Sequence, residues 1–286
     1  MEYVTLNNGV KMPILGYGVY QVSKEECERC VTDAISVGYR LIDTAQAYFN
    51  EEEVGNAILK CGISREEIFL TTKVWISNYG YEEAKKSVLQ SMEKLQTNYL
   101  DLVLLHQPFN DYYGAYRALE DLYEEKKIRS IGVSNFYPDR LSDICLFNKV
   151  IPQVNQVETN PFNQQIDAQK NMIKNNVQIQ SWAPFGEGRG DMFKNELLKK
   201  IGDKYNKSIA QVILRWLVQR DIVALAKSTH IERMKENFEI FDFKLSSEDL
   251  IEIIKLDTKN SLFFNHQTPE AVEFMAQLVE QRKGKI

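Results

Sequence analysis

Eight short apolar segments recur along this 286-residue chain, and each is followed by a stretch with the periodicity of an amphipathic helix. The run 102–106, Leu-Val-Leu-Leu-His, is one such segment. Continuous apolar runs bounded by turn residues are typical of parallel strands that are buried on both faces. Eight strand–helix units in a chain of this length predict an α/β fold, a closed (β/α)8 TIM barrel. An open doubly wound sheet is the alternative.

The boundaries of these units follow from the apolar periodicity and the turn residues. The predicted barrel strands cover residues 14–17, 41–43, 68–73, 102–106, 128–133, 153–157, 177–182 and 222–226. The predicted helices begin at a Ser23 cap, with Glu26 forming a capping box, and then cover 51–61, 81–95, 113–125, 138–147, 168–175, 195–205, 209–219 and 231–238. Because no linker interrupts the pattern, we expect one domain over residues 1–286.

Two segments lie outside the alternation. At the amino end, residues 3–6 and 10–12 flank Asn7-Asn8-Gly9, a sequence that favours the turn of a β-hairpin. At the carboxyl end, a tail from about Ser246 is predicted to be helical at first, then irregular, and to lie outside the barrel.

Composition restricts the classes of function. The net charge of −5 argues against nucleic acid as the main partner, because phosphate binding needs a basic face. There is no apolar run near the length of a transmembrane helix, and the first residues lack the basic and apolar regions of a secretory signal. We therefore expect a cytoplasmic protein without a membrane partner.

The cysteines offer little support for a metal site. Cys27 and Cys30 have the spacing of half a zinc site, but no second pair or nearby histidine follows at ligand spacing. With Val31 and Ala34 they form a stripe at helical spacing, which predicts a core-facing helix. Only His106 of the three histidines ends a predicted strand. We predict no metal.

Three successive apolar runs end in an ionisable residue: Asp43, Lys73 and His106. Burying such a group is costly unless it is paired or works in a site. Tyr48 follows Asp43 by five residues. Taken singly, these residues could be a structural ion pair, a satisfied buried histidine and a tyrosine packed at the rim. Together, at the carboxyl ends of neighbouring strands, they predict one site at one mouth of the barrel.

Asp43, Tyr48, Lys73 and His106 together can stabilise and protonate a substrate oxygen atom that gains negative charge. A tyrosine, with an ordinary pKa of about 10, can donate a proton, and a nearby ammonium lowers that pKa. A carboxylate can hold the ammonium, and a histidine can orient a carbonyl oxygen by hydrogen bonding. Carbonyl reduction by hydride needs such an acid and requires no metal.

Several motifs resemble those of the aldo-keto reductases, particularly the bacterial-type members similar to 2,5-diketo-gluconate reductases. They occur in the family's order over almost the whole chain. They are Asp43-Thr44-Ala45-Gln46-Ala47-Tyr48 with Asn50-Glu51-Glu52-Glu53-Val54-Gly55, Leu104-Leu105-His106-Gln107-Pro108, Gly132-Val133-Ser134-Asn135-Phe136, Asn155-Gln156-Val157-Glu158, and Lys227-Ser228 with Arg233, Glu236 and Asn237.

The resemblance implies NADPH-dependent reduction of aldehydes and ketones, with the hairpin covering the bottom of the barrel. Tyr48 would be the general acid, tuned by Lys73 and Asp43, and His106 would orient the substrate carbonyl. The resemblance also implies the cofactor contacts. Ser134, Asn135 and Gln156 would hold the nicotinamide carboxamide, and Trp182 would stack on the ring where the family usually has a tyrosine, with Val19, Tyr20 and Ala183 beside the ring. The implied contacts at the adenosine end are Lys227, Ser228, Arg233 and Asn237.

Two features bear on the cofactor. Lys227 and Arg233 are cations near the start of a helix, which favours a 2′-phosphate ligand and hence NADPH; a solvated basic patch is the alternative. The glycine-rich segment 186–190 lacks the strand-to-helix turn of a dinucleotide fingerprint. We interpret this segment as a mobile loop that can fold over the cofactor.

The departures from the family pattern concern the substrate. Gln107 stands where many members have Trp, Ala226 where Pro is common, and Phe49 where a small residue is usual. With Tyr20 and Trp75, Phe49 and Gln107 are expected to line the substrate side, which suits small carbonyl compounds with some apolar surface. A barrel that binds NADP as a regulatory module without turnover is the alternative function. A monomer is expected.

Overall fold

A short antiparallel hairpin begins the fold and covers one end of the barrel. In the computed structural model, which describes residues 1–284, β1 (Tyr3–Thr5) pairs with β2 (Lys11–Pro13). The side chain of Asn7, in the turn, donates hydrogen bonds to the carbonyl oxygens of Pro152 and Asn176, both at 3.0 Å. These acceptors precede two barrel strands, so the hairpin closes the bottom of the barrel as predicted. Residues 285 and 286 of the predicted domain lie outside the described part.

Eight parallel strands form a closed barrel. Each strand pairs with the next along the chain, and the last returns to the first, with Ala224 opposite Leu15. The predicted (β/α)8 barrel is confirmed, and the open doubly wound alternative is wrong. The strands are β3 (Leu15–Gly18), β4 (Leu41–Asp43), β5 (Phe69–Val74), β6 (Leu102–Leu105), β7 (Ile131–Ser134), β8 (Val154–Glu158), β9 (Gln178–Trp182) and β10 (Val223–Ala226).

Within residues 1–284, nine helices follow the barrel strands, and each overlaps its predicted counterpart. They are α1 (Lys24–Val37), α2 (Glu51–Lys60), α3 (Tyr81–Lys94), α4 (Tyr112–Glu124), α5 (Pro138–Phe147), α6 (Ile166–Lys174), α7 (Glu196–Tyr205), α8 (Ile209–Val218) and α9 (Ile231–Phe238). They bury one face against the strands; α8 is buried along its whole length from Gln211 to Val218. Such burial contributes roughly 25 cal/mol for each Å² of apolar surface.

The start of α1 differs from the prediction. Ser23 is the N-cap, but its side chain caps no backbone N–H group of the helix. Glu26 does not reach back to it; its carboxylate pairs with Arg29, one turn further on, at 3.1 Å. The predicted capping box is therefore wrong, because a nearby cation competes for the glutamate. Cys27 and Cys30 are fully buried, which confirms the core-facing stripe.

A glycine permits close packing between strands on the far side of the barrel. A Cβ atom at Gly132 in β7 would lie 2.4 Å from the carbonyl oxygen of Val154 and 2.7 Å from Cδ2 of Leu104. Both neighbours belong to adjacent strands, and backbone cannot move aside easily. Position 132, two residues before Ser134 on the same strand, therefore requires a residue without a side chain.

The carboxyl-terminal segment is more ordered than predicted. It contains α10 (Ser247–Ile254) and a second helix, α11 (Pro269–Arg282), where an irregular tail was expected. The signals for α11 are a Thr268 cap, a proline at the first helical position, and Ala271 and Met275 on one buried face. Between the helices, Ser261 and the backbone of Leu262 bond the Glu158 carboxylate at the end of β8.

This tail therefore lies outside the strand ring, as predicted, but it crosses the mouth formed by the carboxyl ends of the strands. Within residues 1–284, no helix has the length and apolar character needed to cross a membrane.

Candidate active site

The three ionisable strand ends meet at one mouth of the barrel. Lys73, in β5, has no exposed surface, and its Nζ lies 2.5 Å from Oδ1 of Asp43, the last residue of β4. The same ammonium donates to the carbonyl oxygen of Thr44 at 2.9 Å and lies 3.4 Å from the hydroxyl oxygen of Tyr48. The structure thus brings a phenol, an ammonium and a carboxylate into one contiguous group.

Side chains that the sequence analysis did not single out hold the turn that carries Tyr48. This turn, Gln46–Tyr48, is a single turn of 3-10 helix directly after β4. The Oε1 atom of Gln46 accepts hydrogen bonds from the backbone N–H of Trp75 and from Nδ2 of Asn78, both at 2.9 Å. Thr44 donates to Oδ1 of Asn50 at 2.8 Å. Gln46 and Asn50 both belong to the quoted motifs, so the sequence did contain their signal.

His106 lies beside the phenol. Its backbone N–H donates to the carbonyl oxygen of Val74, which continues the β5–β6 ladder past the end of β6. The imidazole centroid is 5.7 Å from that of Tyr48 and 5.2 Å from that of Trp75, with edge-to-face geometry in both cases. Its Nδ1 is buried without a hydrogen-bond partner among the described residues. The ring is therefore held mainly by aromatic packing.

Burial sets the protonation states of these groups. The pKa of Tyr48 lies well above its ordinary value, because burial and then the Asp43 carboxylate disfavour the phenolate. The pKa of His106 lies well below its ordinary value, because of burial and then the Lys73 ammonium. Burial also lowers the pKa of Lys73, against the attraction of Asp43. The net shift of the Tyr48 pKa is therefore upward although the Lys73 ammonium lies nearby. At neutral pH the phenol is protonated and the imidazole neutral.

A polar cluster lies next to this group, on the neighbouring strand ends. The Ser134 hydroxyl donates to the backbone carbonyl of Gln156 at 2.9 Å. Nε2 of Gln156 donates to Oδ2 of Asp43 and to Oε1 of Gln180, both at 2.9 Å. Asn135, which has a positive φ of 63°, donates from Nδ2 to the backbone carbonyl of His106 at 3.2 Å. The predicted carboxamide-binding residues thus lie together and adjoin the ionisable group.

The predicted neighbours of the nicotinamide line the same mouth. Nε1 of Trp182 donates to Oδ1 of Asn135 at 2.9 Å, and the indole packs edge-to-face on Phe263 of the tail, with centroids 5.0 Å apart. Three further predicted residues belong to this group. Val19 is buried, and its N–H donates to the Asp43 carbonyl. Tyr20 is 48% exposed, with its ring centroid 5.0 Å from that of Tyr48, and Ala183 has a positive φ of 47°.

The four residues predicted for the adenosine end lie on the segment that leads into α9 (Lys227 and Ser228) and on the helix itself (Arg233 and Asn237). Ser228 and Asn237 are buried, whereas Lys227 and Arg233 are exposed. Neither cation has a carboxylate partner within 4.0 Å in the described part of the chain. The segment connects to the barrel through the hydroxyl of Tyr17 in β3, which donates to the Ser228 carbonyl at 2.6 Å.

The residues predicted for the substrate side occupy different environments. Trp75 is buried against His106, whereas Phe49 is partly exposed and has a positive φ of 61° at the end of the 3-10 turn. Gln107 is buried, and its Oε1 accepts from Nδ2 of Asn135 at 3.4 Å. The amide group of Gln107 is therefore directed toward the polar cluster that includes Asn135.

The glycine-rich segment lies across the mouth. It belongs to an irregular stretch, Gly186–Lys194, in which five residues have non-helical backbone angles. Nη1 of Arg189 donates to the carbonyl oxygen of Leu262 at 3.1 Å, and its guanidinium carbon lies 4.2 Å from the ring centroid of Phe263. Through these two contacts of Arg189 the loop packs against the tail. This role of the tail has no signal in the local sequence, because the contacting residues are distant from one another along the chain.

The described residues contain no group of three histidine, cysteine, aspartate or glutamate side chains placed to hold a metal ion. The ionisable group at the mouth contains one ammonium, one carboxylate, one phenol and one imidazole. These groups can protonate an oxygen and stabilise the charge that remains, which is acid catalysis.

Comparison with known proteins assigns the family. The sequence model of the aldo/keto reductase family matches residues 14–258. The chain is 44% identical over 257 residues to the 9,11-endoperoxide prostaglandin H2 reductase of Trypanosoma cruzi (strain CL Brener), covering 89% of this chain and 91% of that protein. It is also 44% identical over 258 residues to the glyoxal reductase of Bacillus subtilis (strain 168), covering 90% and 93%.

A solved structure agrees with these sequence matches. The crystal structure of a Bombyx mori aldo-keto reductase in complex with NADP superposes with a TM-score of 0.88 at 29% identity. The match covers 92% of this chain and 95% of that one. The fold, the order of the motifs and the matched length agree, and the chain is a member of the aldo/keto reductase family.

Proposed function

We propose that this protein reduces aldehydes and ketones to alcohols with NADPH. The family membership and the NADP complex of a relative support an NADP-dependent oxidoreductase. One observation carries the assignment of the chemistry to this site: the Tyr48 hydroxyl lies 3.4 Å from the ammonium of Lys73, which Asp43 holds in place. A protonated phenol in contact with a fixed cation is an acid whose conjugate base is stabilised.

Bound NADPH supplies the hydride for the carbonyl carbon. The carbonyl oxygen accepts a hydrogen bond from the Tyr48 hydroxyl and a second one from the neutral imidazole of His106. As negative charge develops on that oxygen, Tyr48 transfers its proton, and the alcohol forms. The phenolate that remains is stabilised by the Lys73 ammonium and regains a proton from solvent. Asp43 accepts a hydrogen bond from Lys73 and offsets the cost of burying its ammonium.

The residues of the polar cluster fit a nicotinamide carboxamide. Oε1 of Gln156 accepts no hydrogen bond within residues 1–284, although Nε2 of the same side chain donates two. An amide NH2 group is a suitable donor to that oxygen. Ser134 and Asn135 can contact the rest of the carboxamide, and Trp182 can cover the ring with its indole face, with Val19, Tyr20 and Ala183 beside it.

The residues around the start of α9 fit the adenosine end. Lys227 and Arg233 are exposed cations without a carboxylate partner in the described residues, and Ser228 and Asn237, on the same segment and helix, are buried. Arginine and lysine are the usual ligands of phosphate groups. We propose that they bind the 2′-phosphate and give the enzyme its preference for NADPH over NADH.

The substrate enters beside Phe49, Trp75 and Gln107. We propose that the two aromatic side chains contact its apolar part and that Gln107 supplies one polar contact. We further propose that residues 1–286 act as one domain, as a monomer in the cytoplasm, with small-molecule carbonyl compounds as partners and without a nucleic-acid or membrane partner.

The test uses purified protein, NADPH deuterated at the transferable position, and a small reactive aldehyde such as glyoxal. We expect repeated turnover, with one deuterium atom on the former carbonyl carbon of each product molecule. Oxidation of a single equivalent of bound NADPH, or product without deuterium, would contradict the proposal and favour an NADP-binding barrel without turnover.

A further inference from the structure

The last residue of α11, Arg282, extends back to the mouth of the barrel. Its Nη1 donates to the carbonyl oxygen of Ala47 at 3.4 Å, next to Tyr48. Its guanidinium carbon lies 5.2 Å from the ring centroid of Trp75 and 5.8 Å from that of Phe49. Both rings belong to the proposed substrate wall, and Trp75 also contacts His106. Arg282 lies beyond the family match, which ends at residue 258.

The charge of this guanidinium is not neutralised by its surroundings. In the described part of the chain, no carboxylate lies within 4.0 Å of Arg282. Two buried carboxylates of the mouth are already engaged: Asp43 by Lys73, and Glu158 by Ser261 and the backbone of Leu262. A guanidinium has several N–H donors, and within residues 1–284 this one has a single hydrogen-bond acceptor. Most of its donors therefore remain available at the mouth.

The position of this cation makes it relevant to the reacting carbonyl. After burial and Lys73, Arg282 is the next cause that lowers the pKa of His106, so its charge acts at the site. The aromatic rings under the guanidinium restrict its plane, and a planar guanidinium recognises a carboxylate through two parallel hydrogen bonds. Partial burial of an unpaired cation is costly, and a bound carboxylate would offset that cost.

We infer that Arg282 determines substrate specificity by binding a carboxylate group of the substrate. The substrate class is then carbonyl compounds that carry an acid group, such as keto acids and aldehyde acids. This inference rests on the proposed function, because it assumes that the carbonyl is reduced at Tyr48.

The competing role for Arg282 is purely structural. Contacts between a cation and an aromatic ring stabilise a structure by about 0.5–1 kcal/mol at exposed sites, so Arg282 could simply fasten α11 to the barrel. Its loss would then affect all substrates alike, because the same wall would loosen for each of them. A matched pair of substrates, one charged and one neutral, separates the two roles.

The experiment compares 4-carboxybenzaldehyde with its methyl ester as substrates for four proteins: wild type, Arg282→Gln, Arg282→Lys and Lys283→Gln. Lys283 is the matched control, because it is the adjacent cation but is exposed and pairs with Glu280 at 3.7 Å. For Arg282→Gln we expect kcat/KM for the acid to fall about 10- to 100-fold, mostly through KM, which corresponds to losing one charge-assisted hydrogen-bonded pair.

For the ester we expect kcat/KM to change by less than about twofold in every variant. Lys283→Gln should retain the wild-type ratio of kcat/KM for the acid to kcat/KM for the ester. Arg282→Lys should keep part of the preference for the acid, because it preserves the charge but not the planar fork. Equal losses on acid and ester in Arg282→Gln, or a wild-type enzyme without preference for the acid, would overturn the inference. Absence of turnover with both aldehydes would instead contradict the proposed function.

Discussion

The indole Nε1 of Trp182 donates a hydrogen bond to Oδ1 of Asn135 at 2.9 Å. Asn135 is one of the residues proposed to hold the nicotinamide carboxamide, and its amide nitrogen already donates to the His106 carbonyl. Both the amide oxygen and the amide nitrogen of Asn135 therefore have partners within the protein. The proposed contact of Asn135 with the carboxamide requires the indole contact to be exchanged for it.

This exchange gives a prediction for Trp182→Phe. The variant keeps an aromatic face for the nicotinamide ring but has no N–H to compete for Asn135. We expect the variant to bind NADPH at least as tightly as the wild type does, by up to about tenfold, because a typical hydrogen bond contributes about 0.5–1.5 kcal/mol. Titration calorimetry measures this affinity. A tenfold weaker affinity would show that the indole N–H supports the bound cofactor rather than competing with it.

The buried pair of Asp43 and Lys73 is expected to contribute to both the stability of the fold and the rate of carbonyl reduction. In Asp43→Asn, the Lys73 ammonium would remain buried without its anionic partner, and we expect the free energy of unfolding to fall by about 3–5 kcal/mol. The rate of carbonyl reduction should fall as well, because burial without Asp43 favours the neutral form of Lys73, and a neutral amine stabilises the phenolate poorly. Urea unfolding and steady-state kinetics measure the two effects.

A matched control separates them. Asp101 is equally buried at the opposite end of the barrel, where it pairs with Arg129 at 2.6 Å and with Arg65 at 2.9 Å. Asp101→Asn should also destabilise the fold, yet the folded protein should keep its turnover rate. Equal losses of turnover in both aspartate variants would mean that Asp43 acts only through stability.

The two cations near α9 are expected to discriminate between cofactors. Lys227→Ala and Arg233→Ala should each weaken NADPH binding about tenfold, since each removes one charge-assisted contact to the 2′-phosphate. NADH binding should change less than about twofold. Lys235→Ala is the control, because Lys235 is an exposed cation of the same helix. Dissociation constants from fluorescence titration give the comparison; parallel losses for NADPH and NADH would exclude the 2′-phosphate role.

Acid should weaken the fold through His266. This residue of the tail is 3% exposed, neither ring nitrogen has a partner among the described residues, and it packs against Phe109 and Phe264. Burial, with a smaller effect of Arg140, lowers the pKa of His266 to about 4. Between pH 6.5 and about 4 the unfolded state therefore binds more protons than the folded state. Stability is present above this window and is lost as the pH falls through it.

His266→Phe should remove this sensitivity, because phenylalanine keeps the aromatic packing and cannot be protonated. We expect the slope of unfolding free energy against pH to decrease by up to about 1.4 kcal/mol per pH unit within the window. His106, whose pKa is also lowered, contributes in the same direction and should remain. Urea unfolding at pH 7, 6 and 5 measures the slopes, with a variant of the exposed His230 as the control. An unchanged slope in His266→Phe would refute this origin.

Local sequence patterns predicted the barrel because each strand–helix unit has its own apolar signature. The convergence of Asp43, Lys73 and His106 followed from strand topology alone, since parallel strands place their carboxyl ends at one mouth. The pKa of Tyr48 could not be predicted in this way, because its direction depends on how deeply the phenol is buried. The reach of Arg282 to Trp75 and the contact of Trp182 with Phe263 depend on the path of the tail, which no local pattern encodes.

The most direct test of the central claim is single-turnover reduction by Tyr48→Phe with NADPH and glyoxal. Removing a general acid typically costs a factor of about a hundred to ten thousand, so we expect a loss in that range while NADPH affinity stays within about threefold of wild type. Tyr116, in α4, donates its buried hydroxyl to the Val150 carbonyl, and Tyr116→Phe should retain wild-type turnover. A Tyr48→Phe enzyme that reduces glyoxal at the wild-type rate would contradict the assignment of the acid.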